Sequence, residues 1–177
     1  MAEKKRYPFL NLIIDIFFGI TIFTSFTLFR GFNLGSILLF FSIFLMANYW
    51  WAIRSYSKYP KHYLFDFYFL IIISMIFYQL AVNYAETRNF IFILGALFLA
   101  DAVWSITSGM VHEEKADRKA LRFDFATEIT LAAFYFALWL FVRELNYAVI
   151  AAIIIPCLIY FALNVRKGLI SLKYEGV

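Results

Sequence analysis

Apolar residues fall along this chain in six long blocks, with polar residues gathered in short groups between them. Each block meets the hydropathy criterion for a helix that crosses a bilayer, about 20 residues with a range of roughly 17–25. The blocks are about 9–29, 34–53, 63–81, 90–110, 125–142 and 147–163. This pattern predicts an all-α fold: a polytopic bundle of six transmembrane helices forming one domain over residues 1–177. The gaps after the first, third and fifth blocks are short, at 30–33, 82–89 and 143–146, and the gaps at 54–62 and 111–124 are longer. The spacing therefore predicts three tight helical hairpins joined by two longer loops. Lys4, Lys5 and Arg6 before the first block suggest a signal peptide. The block is too long for a signal h-region, and Arg30-Gly31-Phe32-Asn33 reads as a turn rather than a cleavage site.

Charge gives the bundle a direction. Thirteen Lys and Arg residues fall at the termini and in the two longer loops, against only Arg30, Arg88 and Arg143 in the short turns. The positive-inside rule places both termini and the loops 54–62 and 111–124 in the cytoplasm, in a multi-pass protein of the cell membrane. Composition agrees: 64% of residues are hydrophobic and 16% charged, where soluble domains average about 25% charged. A soluble globule of this size would expose large apolar patches. The net charge of +4 is spread among loops and is accounted for by topology, so no nucleic-acid partner is expected. The single cysteine, Cys157, cannot form an internal disulfide. In the fourth loop, Glu114 and Arg118 are a favourable pair at four-residue spacing while Glu113 and Asp117 repel. That loop is expected to be a short solvated helix or a frayed helix end, with partner docking as the alternative.

The hairpins resemble one another. Asp15-Ile16-Phe17-Phe18 matches Asp66-Phe67-Tyr68-Phe69, Phe65-Asp66-Phe67 recurs as Phe123-Asp124-Phe125, and Asn48 aligns with Asp101. Parallel hairpin repeats and chance matches in a Phe- and Ile-rich alphabet both account for this.

Ionisable groups within membrane spans cost about +2.5 to +3.5 kcal/mol on insertion scales and mark candidate sites. Topology places Asp15, Asn48, Asp66, Asp101, Asp124 and Glu128 in the cytoplasmic half, with Asp101 deepest and Asp124 and Glu128 opening the fifth helix. Asp101, Ser105 and Ser108 recur at i, i+4 and i+7 and share one helix face. A carboxylate at that depth must be protonated, hydrated or accompanied by a cation. The expectation is a cytosol-facing acidic vestibule with Asp101 as its floor, binding an ion or proton through Asp101, Asp15, Glu128, Asn48 and Ser105. The competing expectation is that these acids accept hydrogen bonds from neighbouring helices, at about 0.6 kcal/mol each, or, at helix starts, complement the dipole.

Other chemistries find no motif. His62 and His112 lie at cytoplasmic helix ends, which argues against haem. There is no zinc-ligand cluster, phosphate loop, Ser–His–Asp set, Arg-rich sensor helix or potassium-filter sequence, so no cofactor or metal is expected. Trp50 and Trp51 read as an interfacial aromatic belt, and Pro156 as a kink in the sixth helix.

Asp15-Ile16-Phe17-Phe18-Gly19-Ile20-Thr21-Ile22 resembles the first helix of the lysosomal-type six-helix potassium channel family, and Trp51-Ala52-Ile53-Arg54 its Trp-x-x-His. Ile13-Ile14 stand where that family has Phe-Ser, and Arg54 where it has His. Trp50–Tyr56 is equally similar to the low-temperature-requirement A membrane proteins. The channel resemblance implies a pore lined by the first helix and permeation by cations. The leading functional expectation is a cation- or proton-linked channel or transporter in the lipid bilayer, working as a homo-oligomer or with a membrane-protein partner. A non-catalytic membrane subunit or scaffold, and an intramembrane enzyme acting on lipids, are the alternatives.

Overall fold

The computed structural model describes residues 8–56, 63–111 and 115–174. They form α1 (Pro8–Leu28), α2 (Leu34–Tyr56), α3 (Tyr63–Val82), α4 (Thr87–Val111), α5 (Lys115–Phe141) and α6 (Tyr147–Tyr174), with no strand among the described residues. The all-α expectation holds. Outside the described residues lie His62, His112, Glu113, Glu114 and five of the basic residues behind the sidedness argument (Lys4, Lys5, Arg6, Lys58 and Lys61), as do the side chains of Asp66, Arg54, Lys115, Arg118, Arg166, Lys167 and Lys173.

Two helices run well past their apolar blocks. Residues 115–124, placed by the sequence in the fourth loop as a short solvated helix or a frayed helix end, are helical and form the opening turns of α5. They are Lys, Arg, Ala, Leu and one Phe with two Asp and no Gly or Pro, so helix propensity persists where hydropathy ends. Asp124 and Glu128 therefore lie inside α5 and do not cap its start, which removes them from the helix dipole's reach. α6 continues to Tyr174 in the same way.

Helix neighbours follow a closed circuit, α1–α2–α6–α5–α4–α3–α1, with α2 also touching α3. The most extensive interface, α4 on α5, crosses the boundary between the second and third predicted hairpins. Gly95 lets these two helices approach: a Cβ built there would lie 3.0 Å from the Phe136 ring. The short turns are held by local bonds. Gly31 adopts φ +113°, a region open to glycine. Asn33 Oδ1 accepts from the Ser36 amide at 2.9 Å while Ser36 Oγ accepts from the Asn33 amide at 3.1 Å, a reciprocal cap on α2. Asn146 caps α6 through the Val149 amide at 2.9 Å. Tyr84, in the α3–α4 turn, donates to the Leu28 carbonyl at 3.0 Å and ties that turn to the end of α1.

Hydroxyls inside the helices bond back to their own carbonyls, as Thr21 does to Phe17 (2.9 Å) and Ser25 to Thr21 (2.8 Å). α6 contains Pro156, whose missing N–H deprives the Ala152 carbonyl of its helical donor. At the next residue Tyr135 Oη donates to the Ile153 carbonyl at 2.7 Å and lies 2.9 Å from Cys157 Sγ. Thr87–Ser108 and Lys119–Phe141 are each long and apolar enough to cross a membrane; the apolar stretches Asp15–Leu28, Leu34–Trp50, Phe67–Val82 and Tyr147–Leu163 are shorter.

Replacing Gly95 by Val is expected to destabilise the fold by about 1–3 kcal/mol, because the Phe136 ring must move away from the new branch. Thermal unfolding of the purified protein in detergent, compared with wild type, measures it.

Candidate functional site

Three buried stripes meet where the site forms. On α4 the stripe runs Phe90, Leu94, Leu97, Phe98, Asp101, Ser105 and Ser108, all buried, and changes from apolar to polar at Asp101. On α5 it is Leu121, Glu128, Leu131, Ala132 and Tyr135; on α6 it is Ile150, Ile153, Cys157 and Tyr160. Each follows the three- and four-residue steps of one helix face.

Glu128 is 4% exposed and lies at the junction. Ser105 Oγ on α4 donates to its Oε2 at 2.7 Å, and Tyr160 Oη on α6 donates to its Oε1 at 2.8 Å. Each carboxyl oxygen thus receives a hydroxyl from a different helix, so one side chain ties three together. Asp101, one turn before Ser105, is 7% exposed. It is buried, and the acids within electrostatic reach of it are Glu128 and then Asp124. Aromatic rings close the apolar side. Phe98 stacks on Tyr135 at 5.6 Å and meets Tyr160 edge-on at the same separation.

The five predicted site residues therefore divide. Asp101, Ser105 and Glu128 come together on α4 and α5. Asp15 is on the α1–α2 seam, where Trp50 Nε1 donates to its Oδ1 at 2.8 Å. Asn48 turns back on its own helix, donating to the Phe44 carbonyl at 2.9 Å. Trp50, read from the sequence as part of an aromatic belt, is a hydrogen-bond donor to an acid and packs against Phe18 at 5.9 Å. Tyr160 was not singled out by the sequence, though the step from Ile153 to Cys157 to Tyr160 places it on the buried face of α6. Among the described residues no group of three or more His, Cys, Asp or Glu could hold a metal ion.

A buried pair of acids with hydroxyl donors on one of them has limited chemistry. It can hold a proton between like charges, as paired carboxyl groups do, or accept a small cation among oxygen atoms. The chain matches no family model, no curated protein and no solved structure.

Removing the Tyr160 hydroxyl by Tyr160→Phe is expected to cost about 1–3 kcal/mol, the penalty for leaving a buried acceptor short of a donor. Ser105→Ala should cost a similar amount, and the double variant less than the sum, since both act on one carboxyl group. Unfolding of the three variants in detergent reads both outcomes.

Proposed function

We propose that this chain is an integral membrane protein whose six helices all span the bilayer, with both termini cytoplasmic, and that Asp101 with Glu128 binds and passes a proton or small cation. Helix length supports the topology. The helices are 20 to 28 residues long, and about 20 residues suffice to cross the hydrocarbon core. Their outward faces support it too: Phe23, Phe26, Met110, Leu140 and Phe141 are all more than 60% exposed, an arrangement that suits lipid better than water. The many basic residues of the loops and termini then sit on one side.

The observation that carries the ion-linked reading is the burial of Asp101 beside Glu128. Two carboxyl groups so placed need a positive charge in their company, and a proton or a bare cation is the smallest that serves. Asp15 is left out of this route, because it lies on the α1–α2 seam beside Trp50 and not at the α4–α5 junction that holds Asp101 and Glu128.

A second reading has its own support. Glu128 accepts one hydroxyl from each of two neighbouring helices, which is also what a structural clamp in a non-catalytic membrane subunit would do. Flux separates the two. In proteoliposomes, Asp101→Asn is expected to abolish a pH- or cation-driven flux while leaving the protein folded, and Asp15→Asn to leave most of it. Flux unchanged in Asp101→Asn, with stability altered, selects the clamp.

The topology has a separate test. In a Cys157→Ala background, cysteines placed by Arg30→Cys, Arg88→Cys and Arg143→Cys should react with an impermeant maleimide from outside intact cells. Cysteines placed by Lys119→Cys and Arg122→Cys should react only after permeabilisation. Labelling of all five from one side would overturn the six-span arrangement.

A further inference from the structure

Away from the acid pair, α1, α2 and α3 line a small cavity of about 10 Å³, with Phe17, Phe18 and Thr21, Tyr49, and Ser74 and Phe77 among its walls. Tyr49 is 9% exposed, and its Oη is buried with no hydrogen-bond partner among the described residues. The ring is held in place: Phe77 meets it edge-on with centroids 5.0 Å apart. A tyrosine has few torsions with which to withdraw its hydroxyl, and a buried hydroxyl left without a partner is costly.

The cavity walls offer what that hydroxyl lacks. Thr21 commits its proton to the Phe17 carbonyl at 2.9 Å, which leaves its oxygen lone pairs able to accept. Ser74 brings a hydroxyl from α3 that can donate or accept. The remaining lining is aromatic and aliphatic, so a charged ligand would find no counter-charge there. A buried water needs roughly 10–15 Å³ and two to four polar partners; the volume reaches the lower bound, and three hydroxyl-bearing residues, Thr21, Tyr49 and Ser74, line it.

We propose that this cavity is a binding site for a single water molecule shared by the hydroxyls of Tyr49, Thr21 and Ser74. The water is a polar tie among α1, α2 and α3, the counterpart in the first half of the chain of the Glu128 junction in the second. It goes beyond the ion-linked reading and does not depend on it.

The sign of one substitution tests the proposal. A hydroxyl bonded to a resident water is lost at a cost, whereas an orphaned hydroxyl is removed with a gain. Tyr49→Phe is therefore expected to lower the Tm in detergent by roughly 2–4 °C, the shift of one ordinary hydrogen bond in a chain of this length. An unchanged or raised Tm overturns the site. The second arm is an experimental structure of the wild-type protein at a resolution that shows ordered solvent. Density for one water within hydrogen-bond distance of Tyr49 Oη supports the site, and a dry cavity overturns it. Neither readout involves flux, so failure here leaves the Asp101–Glu128 reading to its own test.

Discussion

A carboxyl group enclosed by helices must find hydrogen-bond donors, and Glu128 finds them on two helices other than its own. That requirement fixes the rotation of three helices together. A one-residue shift turns a helix face by about 100°, which would carry Ser105 or Tyr160 away from the junction and leave a buried oxygen bare. Apolar packing alone tolerates such slips, because Leu, Ile and Phe are similar in bulk and make no directional bonds. The cost of an unsatisfied polar group in a medium without water is several times larger than that of an imperfect apolar contact. Register in the second half of the molecule is therefore set by one acid.

The stripe on α4 shows how the apolar and polar parts share one helix. Phe90, Leu94, Leu97 and Phe98 supply packing area, and Asp101, Ser105 and Ser108 continue the same face with groups that need partners. The transition coincides with the rings of Phe98, Tyr135 and Tyr160, which separate the two halves. Gly95, placed in the apolar half, brings α5 close enough for Glu128 to meet Ser105 two to three turns further along. Close backbone approach at one level and a polar bond at another are parts of a single interface.

Much of this was legible in the sequence, and what was not has a physical reason. The six helices follow from hydropathy, and the shared face of Asp101, Ser105 and Ser108 from spacing alone. The true start of α5 was hidden because hydropathy measures preference for lipid, while Lys, Arg and Ala at 115–122 are helix formers without that preference. Glu128 was read as near a helix start for the same reason. The pairing of Tyr160 with Glu128 joins residues 32 apart, and that of Trp50 with Asp15 residues 35 apart. Periodicity says which face of a helix is buried but not which neighbour it meets, so partners across the bundle come only from the fold. The hairpin repeat aligns Asn48 with Asp101, and the two meet different surroundings: Asn48 bonds its own backbone, while Asp101 is buried one turn before Ser105.

Pro156 gains meaning from where Tyr160 stands. The helical bond missing at Ala152 makes that point the softest in α6, and Tyr135 braces the carbonyl just after it. Four residues further on, Tyr160 is fastened to Glu128. α6 is thus fastened on both sides of its proline, by Tyr135 at the Ile153 carbonyl before it and by Glu128 at Tyr160 on the longer stretch after it.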